Sequence, residues 1–228
     1  MSTPQVVRRR RSKHRRESSP DEPFVLPQRA LEFMRPGMHF FFRLFWRIKY
    51  TGLENVPLTG GLIIAANHQT YIDPFWLGCA IKRPLRFLAW NEIFDWPVVG
   101  KLPGLFGAWP LEIQGGDPTA IRRSLEWLQS GGAIVIFPEG GRGLPDGSMA
   151  HFKTGAVRMA LEAHVPILPV TIRGAHGVWP KHQRLPRPAC IEIVYHPPIT
   201  VEAQAGEDAR VCARRESDRL AEIIRRAL

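Results

Sequence analysis

Cysteine is scarce in this chain. There are three, Cys79, Cys190 and Cys212, far apart and without a C-x-x-C spacing. That argues against a disulfide framework and a thiolate zinc site, and it suits a reducing compartment. Cys79 and Cys190 sit in apolar runs and are expected in the core. Long hydrophobic runs are missing as well. No stretch of about 18 apolar residues occurs, so no membrane-spanning helix is expected. The basic start runs into PDEPF and not into an apolar segment, so no secretory leader is expected either. No G-x-S-x-G elbow is present, which argues against an internal serine nucleophile.

Acidic residues are absent from positions 1–16, which hold seven basic ones: Arg8, Arg9, Arg10, Arg11, Lys13, Arg15 and Arg16. The net charge of +10 is therefore mostly the charge of a tail. Taking those seven from 31 leaves 24 basic against 21 acidic residues, or +3. Residues 1–23 are rich in Arg, Ser and Pro and poor in apolar side chains, and read as a disordered basic tail. A body near neutrality with no recognition motif gives no ground for a nucleic-acid partner.

Beyond the tail the chain is organised. Residues 24–50 read as an amphipathic helical segment. Arg35, His39, Arg43 and Arg47 recur every four residues on one side, with Met34, Met38, Phe41, Phe45 and Ile48 opposite. Such a helix either packs on a core or lies at the headgroup boundary of a bilayer. The neighbouring arginine run favours the bilayer, since each basic group near anionic lipid contributes about 1 kcal/mol.

From residue 51 onward, short apolar runs alternate with helical periods. GLIIAAN (61–67), LRFLA (85–89), AIVIF (133–137), PILPVTI (166–172) and ACIEIVYH (189–196) read as strands. Helices are expected from Asp73-Pro74 to about Lys82, from Asp117-Pro118 to Gly131, and over 154–164 and 207–227. Residues 92–107, full of Pro, Gly and aromatics, read as short helical turns lining something apolar. The segment 181–189, KHQRLPRPA, reads as a basic surface loop. The whole predicts an α/β domain over 51–228: a mixed, largely parallel sheet flanked by helices, with an N-terminal membrane-docking helix.

In open α/β sheets the functional loops lie just past the carboxyl ends of strands. Two such ends carry polar clusters, Asn67–Asp73 and Pro138–Gly143. A histidine with a nearby carboxylate is the pattern of a general base, the Asp fixing the tautomer and stabilising the imidazolium. His68 and Asp73 fit it, although either one alone is equally a surface histidine or a helix cap. Without a nucleophile of its own, such a dyad would activate a hydroxyl of the substrate. In the second cluster Glu139 and Arg142 flank two glycines, and Arg suits bidentate phosphate binding.

NHQTYID (67–73), FPEGGRG (137–143) and VPILPV (165–170), in that order, resemble the motif series of the glycerolipid acyltransferases, specifically the 1-acylglycerol-3-phosphate acyltransferase family. FKTGAVRMALEA (152–163) resembles the helix between the last two blocks. The resemblance covers about Val56 to Ile172 and implies acyl transfer from a thioester to the free hydroxyl of a lyso-phospholipid, most simply 1-acylglycerol-3-phosphate. It implies His68 as base and Asp73 as its orienting partner. It implies Glu139, Gly140 and Arg142 as acceptor-binding, with Asn67, Thr70 and Lys153 in support. No metal or bound cofactor is implied; acyl-coenzyme A or acyl-carrier protein would be co-substrate. The implied setting is the cytoplasmic face of a membrane, with anionic lipid as partner.

The chain also departs from that series. The arginine that usually ends the second block is absent, with Ile113 near its position, and Lys101, Lys153, Arg122 or Arg123 are candidates to replace it. Gly141 and Gly143 stand where the series has hydroxyl residues. The reaction class is therefore implied more directly than the acceptor, and a different lyso-lipid or plain acyl hydrolysis are the competing outcomes. Phe94, Trp96 and Phe106 are expected to line an acyl channel.

Overall fold

The computed structural model describes residues 25–95, 100–112, 117–144, 146–179 and 185–228. The basic tail, Trp96, Ile113 and positions 181–184 of the basic loop lie outside them. Among the described residues seven strands form one sheet: β1 Lys49–Thr51, β2 Leu62–Ala66, β3 Leu85–Trp90, β4 Ala108–Leu111, β5 Ala133–Ile136, β6 Ile167–Arg173 and β7 Glu192–Tyr195. Six helices accompany them: α1 Gln28–Trp46, α2 Asp73–Ala80, α3 Lys101–Leu105, α4 Pro118–Gln129, α5 Gly155–Ala163 and α6 Ala209–Arg225. The strand order is β1-β7-β6-β2-β5-β3-β4, and only the β6–β7 pairing is antiparallel. The largely parallel sheet results from the alternation of strand and helix, since each crossover returns the chain to the end of the sheet where the previous strand began.

The central strand β2 is buried along its whole length, as a strand covered on both faces must be. Leu62, Ile64 and Ala66 pack with α1 and α2, whereas Ile63 and Ala65 pack with α5 and α6. Trp76 and Trp46 meet edge-on at 5.1 Å in the first layer. Arg83, buried at the amino end of the sheet, donates to the carbonyls of Pro57, Gly60 and Gly131 and satisfies three turn acceptors at once.

Several expectations are corrected. The N-terminal helix starts at Gln28 and ends at Trp46, with Arg47 in the left-handed region, and Lys49–Tyr50 belong to β1. Met38, Phe45 and Ile48 pack on the core as the simple reading has them, but two of the basic groups do not stay outside. Arg35 and His39 point inward and donate to the carbonyls of Ile81 and Cys79 at the end of α2, beside buried Phe42 and Trp46. The reason is the orphan carbonyls at the α2 C-terminus, which need donors. Phe33, Phe40, Phe41 and Leu44 are left facing out. Residues 92–107 lead into β4, a strand that Pro110 and the small strand length hid. Cys190 is exposed, although Cys79 and Cys212 are buried.

Candidate active site

His68 leaves the carboxyl end of β2, and the chain turns at once into α2. Asp73 is the first residue of that helix and not its cap. Its carboxylate faces back into the turn. Oδ2 accepts from His68 Nδ1 at 2.9 Å, from the Gln69 amide at 2.6 Å and from the Thr70 amide at 2.8 Å. Oδ1 accepts from Thr70 Oγ1 at 2.8 Å, and Thr70 Oγ1 in turn accepts from the Ile72 amide. Asp73 and Thr70 are completely buried. A buried carboxylate is tolerable only when its lone pairs are satisfied, and here four donors satisfy it.

Asp73 is acceptor-only when ionised, so His68 Nδ1 carries the proton in this contact. That leaves Nε2 for the cavity that His68 lines. The imidazole stacks on Phe137 at 4.1 Å. Asn67, buried beneath it, donates to the Ile172 carbonyl and accepts from the Ile172 amide, which pins the end of β2 to β6.

The second cluster closes against the first. Glu139 Oε1 accepts from the His68 amide at 2.7 Å, and Oε2 from the Ala150 amide at 2.7 Å. The Gly143 amide donates to the His68 carbonyl at 2.6 Å. Glu139 is buried, which pushes its carboxyl up; the amides of His68 and Ala150 pull it back down. Glu139, which the resemblance implies as acceptor-binding, is not among the residues that line the cavity. Both of its oxygens take backbone amides, because two loops with unpaired N–H groups meet there.

Arg142 lies over the Tyr71 ring at 4.0 Å and lines the cavity together with Gly140 and Lys153. Gly140 has φ +69, and a Cβ there would stand 2.5 Å from Lys153 Nζ. Glycine thus lets the lysine run across the turn. Of the four candidates for the missing second-block arginine, Lys153 lines the cavity, whereas Lys101, Arg122 and Arg123 do not. Arg123 instead stacks on Trp109 at 4.4 Å. Phe137 and Tyr71 lie inside the motifs, but stacking partners across two loops leave no spacing signal in the sequence.

The cavity has a volume of about 850 Å³. That falls within the range of small-molecule and lipid sites. Met38, Phe75, Leu85, Phe87 and Phe106 form its wall on the α1–α2 face. Phe106 is where the channel expectation put it, in edge contact with Phe75 at 5.1 Å, whereas Ile93 and not Phe94 reaches the wall. Among the described residues no group of three His, Cys, Asp or Glu side chains is arranged to hold a metal ion, and no helix is long and apolar enough to cross a membrane.

The Acyltransferase family model matches residues 47–173, more than half of the chain, and spans both clusters and the strands that carry them. The chain belongs to this acyltransferase family. Over 161 residues it is 29% identical to the chloroplastic 1-acyl-sn-glycerol-3-phosphate acyltransferase LPAT1 of Arabidopsis thaliana, covering 68% of this chain and 44% of that protein. It is 31% identical over 160 residues to the 1-acyl-sn-glycerol-3-phosphate acyltransferase of Limnanthes douglasii, covering 68% and 55%. The chain thus spans about half the length of these curated relatives. The crystal structure of the 1-acyl-sn-glycerophosphate acyltransferase PlsC from Thermotoga maritima superposes with a TM-score of 0.65 at 26% identity, over 88% of this chain and 81% of that one. The sheet expected from sequence is the acyltransferase sheet.

Proposed function

We propose that this chain transfers a fatty acyl group from an acyl thioester to the free hydroxyl of a lyso-phospholipid, with 1-acylglycerol-3-phosphate as acceptor and phosphatidic acid as product. The observation that carries this reading is the 2.9 Å contact between His68 and fully buried Asp73 at the mouth of a largely apolar cavity. Asp73 holds the imidazole with Nε2 as the available base. As the acceptor oxygen attacks the thioester carbonyl carbon, Nε2 takes the hydroxyl proton. The C–S bond then breaks, His68 returns that proton to the sulfur, and a thiol leaves. His68 is neutral again and the new ester carries the acyl group. A base so placed contributes about 10²–10⁴ in rate.

Arg142 and Lys153, with the Gly140 backbone, take the acceptor phosphate; Glu139 acts through the His68 and Ala150 amides. Acyl-coenzyme A or acyl-carrier protein supplies the thioester, and no bound cofactor enters the scheme. The outward stripe of α1, Phe33, Phe40, Phe41 and Leu44, rests on the membrane, with Arg43 and Arg47 beside it for anionic headgroups. Cytoplasmic donors put that surface on the cytoplasmic side.

The test is product analysis by mass spectrometry, offering 1-acylglycerol-3-phosphate and an ammonium-bearing lyso-lipid in parallel. Phosphatidic acid as the main product supports the proposal. Acylation of the ammonium lipid alone would keep the reaction class and overturn the acceptor. Free fatty acid regardless of acceptor would make the chain a hydrolase.

A further inference from the structure

The turn that places Asp73 also carries a ring that the dyad does not use. The amides of Gln69, Thr70 and Ile72 are all bonded within that turn, so the backbone on both sides of Tyr71 is fixed. Arg142, from the second cluster, stands over the face of the Tyr71 ring at 4.0 Å. Trp179 meets the same ring in a T-shaped contact, with centroids 6.1 Å apart and planes at 82°. Trp179 itself packs against the core layer of α1 and α2. An arginine ordinarily settles on a carboxylate, but the two in these clusters are already engaged. Asp73 takes the His68 ring, two amides and a hydroxyl, and Glu139 takes two amides. Among the described residues no carboxylate pairs with Arg142.

We propose that Tyr71 is a positioning residue: its ring, backed by Trp179, orients Arg142 for the acceptor phosphate before the lipid arrives. The inference rests on the reading above that Arg142 takes that phosphate. Tyr71 and Arg142 line the same cavity as His68, so the held guanidinium borders the space where the acceptor must lie. The choice of ring over carboxylate matters to a ligand. A carboxylate would hold the guanidinium by its N–H fork and cancel its charge. A ring holds it by its flat face, so the donors at its edge and the full charge remain for a phosphate. Holding the side chain beforehand also removes rotamer freedom that binding would otherwise have to remove. Between Gly100 and Arg122 the chain has no arginine, so the phosphate relies on few cations and on where each one points. The same turn therefore serves both halves of the site: Asp73 orients the base and Tyr71 orients the cation.

The experiment is steady-state kinetics of the full chain with saturating oleoyl-coenzyme A and 1-acylglycerol-3-phosphate as the varied acceptor. Tyr71→Leu removes the ring at a half-buried position, and Tyr71→Met repeats the test with an unbranched side chain. Each should raise acceptor KM about fivefold to thirtyfold, the worth of a partly desolvated cation–ring contact, with a much smaller change in kcat. Tyr71→Phe keeps the ring and should hold acceptor KM within about twofold. Combined with Arg142→Gln, Tyr71→Leu should add less than about twofold, because the ring then has no guanidinium to hold. A merely structural role would give the same added loss with or without Arg142→Gln, and that result would overturn the inference. So would an acceptor KM unchanged in Tyr71→Leu, or one raised as much by Tyr71→Phe, which would make the hydroxyl the working group. Arg142→Gln without effect on acceptor KM would remove the phosphate role itself and this inference with it. Arg142→Gln raising acceptor KM while Tyr71→Leu does not would overturn the inference alone.

Discussion

At residue scale the site is a problem of holding one imidazole still. Asp73 fixes its Nδ1, Phe137 its plane, Glu139 its amide and Gly143 its carbonyl. Glu139 is the most testable of these, because its role is to accept two backbone N–H groups at once. In Glu139→Gln one of the two oxygens becomes an NH₂ group facing an amide donor. One buried N–H then loses its acceptor, at a cost of about 1–3 kcal/mol. The expected result is a kcat lowered by about tenfold to a hundredfold with little change in acceptor KM, since the base is displaced and no ligand contact is lost. A rise in acceptor KM at constant kcat would return Glu139 to the role of acceptor ligand. The contacts among His68, Thr70 and Asp73 were legible because they depend on spacing within one turn, whereas Asn67 bonds to Ile172 of β6, a partner 105 residues away. Glu139 was legible as a motif member, but its two amide contacts were not, because they depend on which loop N–H groups meet it in space.

The α1–α2 contact is where sequence and structure diverge at the scale of elements. Periodicity found an amphipathic helix, and a four-residue spacing of basic groups is ordinarily a solvated face. Here two of those groups turn inward because the last carbonyls of α2 need donors, a demand that α1 alone does not reveal. His39 makes the contact sensitive to acid. Burial pushes its imidazole below the ordinary range, and nearby Arg35 and Arg43 add to that, against the raising effect of the Cys79 carbonyl. Protonation is thus disfavoured in the folded chain. Stability should be complete above about pH 6.5, the ordinary imidazole value, and fall as the pH drops through it towards the lowered value. Denaturant melts from pH 8 to pH 5 should show that acid loss in the wild type and a flatter profile in His39→Gln. Equal acid slopes in the two would mean that another group carries the acid sensitivity. β4 escaped notice for a related reason: a four-residue strand containing a proline has no period to read.

At the scale of the whole molecule the sheet delivers two polar loops to its carboxyl end, beside a cavity lined by residues of both helical layers. The fold class was readable because alternating elements permit few topologies. The cavity was not readable, since it depends on which side chains of α1, α2, α5 and the strand ends meet in space. The layering also predicts how the molecule meets a membrane. Phe40→Asp with Leu44→Asp puts two charges on the outward stripe of α1 without touching Phe42 or Trp46. Binding to anionic vesicles should fall about tenfold or more, while thermal stability should move by less than about 1 kcal/mol. Unchanged vesicle sedimentation would mean that the stripe docks elsewhere.

The most direct test of the central claim is thiol release from oleoyl-coenzyme A, measured with and without 1-acylglycerol-3-phosphate, in wild type and in His68→Ala. The dyad chemistry predicts release that depends on the acceptor and falls by about 10²–10⁴ in His68→Ala. Release at the wild-type rate in His68→Ala, or release indifferent to the acceptor, would contradict it.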